Sequence, residues 1–272
     1  MRGVIVLLLI GFVLGVLIHI ERYVQNHARY KVASVEIKDR PSWCPKVLTQ
    51  QLEATAQTFV GRGIYDRKLL GDVVAAYQAS SWVRRVNYVR KRFPDSVVVS
   101  LDLRRPEYAV ERAGKGVVVD RDGYVVLSQA REWSETVSPL LVIWGVRSTP
   151  PVPGRRWMDS ALLGGIEVLH GIEKREGLVQ RAGITGVDVS NFGGSKSKNA
   201  SDIIVRARNN FQIAWGRPQS TPRHGEKPDD DKLDLLERYL RIYPQPKDVV
   251  LNARYAGDGG GAMTMNLDKT LR

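Results

Sequence analysis

The sequence reads as an α+β protein: an N-terminal transmembrane helix, a β-α-α-β-β module, then a β-rich domain with flanking helices. Three observations carry that reading. Residues 4–20 form an apolar run without a formal charge. Between residues 32 and 103, two segments with apolar residues at helical spacing lie between one strand-like run and a strand pair. Beyond Pro106, short extended runs alternate with turn signals, and two more helical segments interrupt them.

The apolar run is broken only by Gly11, Gly15 and His19. At about 1.5 Å per residue it makes roughly 26 Å of helix, close to the ~30 Å hydrocarbon core of a bilayer. Arg2 and the Glu21-Arg22 pair stand where long side chains reach the two interfaces. The run exceeds the ~7–15 residues of a signal-peptide core, and no small-x-small site follows it. An uncleaved anchor is therefore expected. Arg2 precedes the run, whereas Arg22, Arg29 and Lys31 follow it, and this count leaves the orientation open because a long domain comes next.

Residues 21–30 are a polar connector. Val32, Ala33, Val35 and Ile37 then fit a strand ended by Lys38-Asp39-Arg40-Pro41. Val47, Leu48, Leu52 and Ala56 place a helix over 45–58, and Gly61-Arg62-Gly63 breaks it. A second helix is expected over 66–79, capped by Asp66, with Leu69, Leu70, Val73, Val74 and Tyr77 on one side. Trp82-Val83 opens a basic strand to Arg92, Phe93-Pro94-Asp95 turns the chain, and a strand over 97–103 leads to Arg104-Arg105-Pro106.

In the second half, strands are expected over 108–112, 117–120 and 124–127, with Asp122-Gly123 as the tight turn of a hairpin. Residues 140–144 suit a buried strand, and the prolines of 150–154 force a loop. Asp159 caps a helix to residue 174. Strands follow over 184–189, 203–207 and 211–215, with a polar loop tip over 193–199. Residues 216–231 look mobile. Asp229, Asp230 and Asp231 supply negative charge where the macrodipole of a helix to Tyr243 favours it. A last strand is expected over 249–255, before a glycine-rich tail.

The formal charge of +12 would suit nucleic acid, an anionic membrane surface or an acidic polymer, and does not choose among them. A single cysteine, Cys44, excludes an intramolecular disulfide. His170 stands near Glu167 and Glu173 but lacks metal-ligand spacing. Asp120 and Asp122 resemble a paired-carboxylate site, yet turn chemistry accounts for both. Neither a nucleophile elbow nor a phosphate-binding loop is present in the sequence. Arg84, Arg85, Arg90, Lys91, Arg92, Arg104 and Arg105 face only Asp95 and Asp102 nearby, which reads first as a solvated strand face. A contact for lipid head groups or an acidic partner comes second, and nucleic acid third, because the expected anchor keeps the module out of its reach and only Tyr88 and Phe93 could stack on bases. A chain's last strand often lies at a sheet edge, where its free N–H and C=O groups accept another chain's strand.

With these residues laid out, the chain resembles the FtsQ/DivIB family of bacterial cell-division proteins over nearly its whole length. Trp82-Val83, the basic strand, Arg92-Phe93-Pro94-Asp95 and Arg104-Arg105-Pro106 look like the family's Trp-Val, Arg-x-(Trp/Phe)-Pro and Glu-Arg-x-Pro stretches in the same order. Val119-Asp120-x-Asp122-Gly123 matches their usual continuation. A helix with Lys232, Leu233, Leu236 and Leu240, followed by a strand ending Arg254-Tyr255, looks like the family's closing elements.

The resemblance implies an anchor and connector over 1–30, a POTRA domain over 31–105, an FtsQ/DivIB-type β domain over 106–256 and a flexible tail over 257–272. It also implies a single-pass inner-membrane protein with its bulk outside the cytoplasm, at the division septum. Such proteins are not enzymes and use no cofactor, metal, nucleic acid or small-molecule substrate. They link early and late septation proteins, with FtsB- and FtsL-like partners on the β domain and other membrane division factors on the POTRA module. Strand addition at the closing strand nominates Lys232, Leu236, Val249, Val250, Leu251, Asn252, Arg254 and Tyr255. The chain departs from the family in Arg104, which stands where an acidic residue is usual, in a very short segment before the apolar run, and in a long tail after Tyr255. An envelope POTRA-type chaperone or secretion/assembly subunit is the rival reading. Those proteins usually carry several POTRA copies or a membrane β-barrel.

Overall fold

The computed structural model describes residues 2–112, 114–128, 140–255 and 264–266. The chain divides into two compact units, Met1–Arg104 and Arg105–Arg272.

The first unit opens with helix α1 (Arg2–Asn26). Among the described residues no helix is long and apolar enough to cross a membrane. The transmembrane helix expected over residues 4–20, and with it the single-pass anchor, is therefore corrected. A span needs length and apolarity together, and no described helix combines the two. Beyond the run, α1 continues into the charged and polar sequence Glu21-Arg22-Tyr23-Val24-Gln25-Asn26.

The rest of this unit follows the chain order β1 (Ser34–Lys38), α2 (Lys46–Gln57), α3 (Leu69–Gln78), β2 (Val83–Arg92) and β3 (Ser96–Leu103). The sheet order is β1-β3-β2, with β1 parallel and β2 antiparallel to β3. Central placement explains why Val97, Val98, Val99 and Leu101 of β3 are all buried, whereas β2 alternates irregularly toward solvent. Leu48, Leu52 and Ala56 of α2, and Leu69, Val73 and Tyr77 of α3, close the core at helical spacing. The expected cap is displaced. Helix α3 begins at Leu69 with Lys68 at its N-cap, and Asp66 Oδ1 instead accepts the Lys68 N–H at 2.8 Å in the preceding turn.

The second unit is built on a nine-stranded sheet in the order β12-β11-β10-β9-β8-β7-β4-β5-β6. Its strands are β4 (Tyr108–Arg112), β5 (Lys115–Val119), β6 (Val125–Leu127), β7 (Leu141–Trp144), β8 (Ile184–Asp188), β9 (Ile203–Ala207), β10 (Gln212–Gly216), β11 (Val249–Asn252) and β12 (Thr264–Asn266). Helix α4 (Ser160–Glu173) connects the parallel pair β7 and β8, and α5 (Leu178–Ala182) follows it. Helix α6 (Asp229–Ile242) connects the parallel pair β10 and β11. Parallel neighbours need such a crossover, so both helices are placed by the sheet they serve. One core joins Tyr108, Ile143, Trp157, Leu162, Leu169, Phe211, Trp215, Leu236 and Leu251.

Close approach sets two glycines. A Cβ on Gly165 of α4 would lie 3.0 Å from Val189 and 3.2 Å from Val187, so the helix packs tightly on the sheet. A Cβ on Gly186 would lie 1.9 Å from the Val142 carbonyl oxygen, where β7 and β8 pair. The expected flexible tail over 257–272 also needs correction, because Thr264–Asn266 forms β12. The remainder of that tail lies outside the described residues.

Candidate partner-binding edge

Helix α6 starts after Pro228, with no side-chain cap and three aspartates in its first turn. One of them does local work. Asp229 Oδ1 accepts from Trp215 Nε1 at 3.2 Å and from Lys232 Nζ at 3.0 Å. Lys232 is only 2 % exposed; its ammonium also donates to the Arg217 carbonyl at 3.1 Å and lies 5.3 Å from the Trp215 ring centroid. Leu236, one turn further on, is fully buried. Both residues were expected at a partner surface, and both instead lock α6 onto its own sheet. An ammonium leaves water at high cost unless its donors are met, and here carbonyl, carboxylate and indole meet them.

The segment 216–231, expected to be mobile, is pinned. Asp202, whose side chain is 1 % exposed, accepts from Arg217 and from Arg223. Arg217 N–H donates to Glu226 at 2.9 Å, Ser220 N–H to Glu167 at 2.8 Å, and Lys227 N–H to the Arg254 carbonyl at 2.8 Å.

The closing strand is shorter than expected, ending at Asn252. Its inner side pairs in parallel with β10, in the register Gln212↔Val250, Ile213↔Leu251 and Ala214↔Asn252. Its outer side pairs antiparallel with β12, in the register Val249↔Asn266, Val250↔Met265 and Leu251↔Thr264. The expectation of an open edge along 249–255 is thus corrected for Val249, Val250 and Leu251. A strand edge with unpaired N–H and C=O groups is a template for another chain, and β12 covers this one.

The nominated side chains separate in the same way. Leu251 is fully buried, Val249, Val250 and Asn252 are half-buried, and Tyr255 is exposed. Arg254 donates to Asn252 Oδ1 at 3.2 Å and to the Asn199 carbonyl at 3.1 Å, and its guanidinium lies 5.3 Å from the Tyr255 ring centroid.

Beside the start of β11 lies a feature missed in the sequence. Tyr239, Ile242, Tyr243, Pro244, Pro246 and Val249 line a groove of about 710 Å³. Ile242 is 70 % exposed and Tyr243 54 % exposed. Tyr239 stacks on Phe211 with centroids 5.8 Å apart, and Tyr243 lies 5.0 Å beyond it. Burial, and after it the neighbouring Tyr243, holds the Tyr239 phenol above its ordinary pKa. The available signal was an aromatic pair at i and i+4 just before two prolines, which leaves a helix end apolar and uncovered.

The other candidate sites resolve into structure. Glu173 accepts from the Tyr108 hydroxyl at 2.7 Å, and Glu167 holds Ser220, so neither is paired with His170 in a ligand set. Among the described residues, no group of three His, Cys, Asp or Glu side chains could hold a metal ion. Asp120 Oδ1 accepts the N–H groups of Asp122 and Tyr124 at 3.0 and 2.8 Å, which is turn chemistry. In the basic hairpin, Arg104 is buried, Arg92 pairs with Glu36 at 2.6 Å, and Lys91 donates to the Asp66 carbonyl at 3.2 Å. Lys91 and Arg92 are thus engaged by groups of the same unit. No protein-family model matches the chain, and no curated protein matches it either.

Proposed function

We propose that this chain is a non-catalytic cell-division protein that links septation proteins through protein–protein contacts. Its partners are FtsB- and FtsL-like coiled-coil division proteins, and its docking line is the outer side of β11 together with the aromatic groove beside it. The observation that carries this reading is the position of β11. It follows α6, lies one short strand from the end of a nine-stranded sheet, and borders exposed Ile242 and Tyr243. Backbone pairing would supply affinity, and the groove would supply selectivity for the side chains that follow the paired segment. The residue pattern from Trp82 to Pro106 and the closing Arg254-Tyr255 support the same family reading.

The test is capture of the FtsB- and FtsL-like pair by the parent chain and by Val250→Lys and Tyr243→Glu variants, with folding followed by circular dichroism. Both variants are expected to stay folded and to lose at least about 1.4 kcal/mol of binding, a tenfold weakening. Folded variants that capture the pair as well as the parent would refute the proposed docking line.

A further inference from the structure

We propose that β12 is a built-in substitute for a partner strand, so that the chain's own tail occupies the outer edge of β11 and must leave before another chain can pair there. This rests on the reading of β11 as the docking line and adds its regulation. Three observations carry it. First, β12 meets β11 in a continuous antiparallel register over Val249, Val250 and Leu251, so it uses the backbone side that a partner strand would need. Second, β12 is only three residues long and is the outermost strand. It has one neighbour to release, whereas β11 and β10 each have two. Third, eight residues separate Tyr255 from Thr264, and four of them are Gly257, Gly259, Gly260 and Gly261.

These features set the strength of the cover. Each backbone hydrogen bond contributes about 0.5–1.5 kcal/mol net, so a three-residue pairing is weak by itself. A short tether compensates, because it presents the strand at an effective concentration of order millimolar. The result is a cover strong enough to blunt the edge against self-association and weak enough to be exchanged. The register also specifies the competitor. A strand that replaces β12 in the same direction runs past Val249, and the residues after it arrive at the groove of Ile242, Tyr243 and Pro246. The structure therefore fits an extended segment followed by apolar side chains.

The probe is a fluorescently labelled synthetic peptide of residues 262–269, added to the full chain, to a chain ending at Tyr255, and to the full chain carrying Met265→Pro. Proline removes the N–H and fixes φ, which is incompatible with a paired strand interior. The shortened chain and the Met265→Pro chain should bind the peptide at least about tenfold more tightly than the parent, whose edge is already filled at high effective concentration. A peptide carrying the same proline should bind none of them. Equal binding by the parent and both altered chains would overturn the proposal, as would absence of binding to altered chains that circular dichroism shows to be folded. If the shortened chain unfolds, the Met265→Pro chain carries the comparison alone. Failure here together with intact capture of the division partners would remove the tail cover and leave the docking line standing.

Discussion

Lys232 shows how a single side chain can be misread from sequence and then explained by its surroundings. On the sequence it is a cation at the start of an amphipathic helix, the usual position for a solvent-facing residue. Its burial comes from Trp215 and the Arg217 carbonyl, both many residues away in the chain, and no local pattern encodes that approach. Lys232→Ala should cost about 2–3 kcal/mol in urea unfolding, somewhat under the ~3–5 of a fully buried pair because Asp229 keeps partial contact with water. Tyr77 makes a second prediction. Burial raises its phenol to about 12, and the hydroxyl donates to the Leu52 carbonyl at 3.3 Å. The folded pKa lies above the unfolded value of about 10, so the unfolded chain ionises first and stability falls between about pH 10 and 12. Tyr77→Phe should lose about 1 kcal/mol at neutral pH, the worth of the hydrogen bond. The gap between variant and parent should then shrink as the pH rises through that window. A gap that stays constant would show that Tyr77 does not titrate there.

Helices and most strands were legible because their apolar spacing is local. Of the residues the period selects, Leu48, Leu52 and Ala56 of α2 and Leu69, Val73 and Tyr77 of α3 are buried, whereas Val47 is exposed; Asp159 caps α4 by accepting the Leu162 N–H at 2.9 Å. What failed has a common cause. Strand β12 carries no alternation that marks Thr264-Met265-Asn266 as extended, so its state depends on the partner β11 provides. The loop over 216–231 has the composition of a mobile segment, yet buried Asp202 gathers two arginines from it. Conversely, the apolar run that opens the chain is clear in sequence, but no described helix combines the length and apolarity that a span requires. Gly186 tests the β7–β8 pairing. Gly186→Ala would drive a Cβ into the Val142 carbonyl, and more than about 4 kcal/mol of stability should be lost, enough to prevent accumulation of folded protein. A near-neutral effect would mean that these strands can separate at little cost.

Beyond the hairpin of β5 and β6, the order of strands in the second unit was not legible, because most of its pairings join segments distant in sequence. Two parallel crossovers, through α4 and α6, bring β8 beside β7 and β11 beside β10. The second of these puts the proposed docking line near the end of the sheet, next to exposed Ile242 and Tyr243, with β12 paired along it. The family resemblance singles out α6 and β11. It did not indicate that Lys232 and Leu236 face inward, or that Val249 to Leu251 are already paired. The decisive measurement is amide hydrogen exchange at Val250, whose N–H lies on the side of β11 away from β10, in the chain ending at Tyr255, with and without the FtsB- and FtsL-like pair. Removing the tail should speed exchange along the outer side of β11, and adding the pair should slow it again. Partners that bind while exchange at β11 stays unchanged would contradict strand addition at this site.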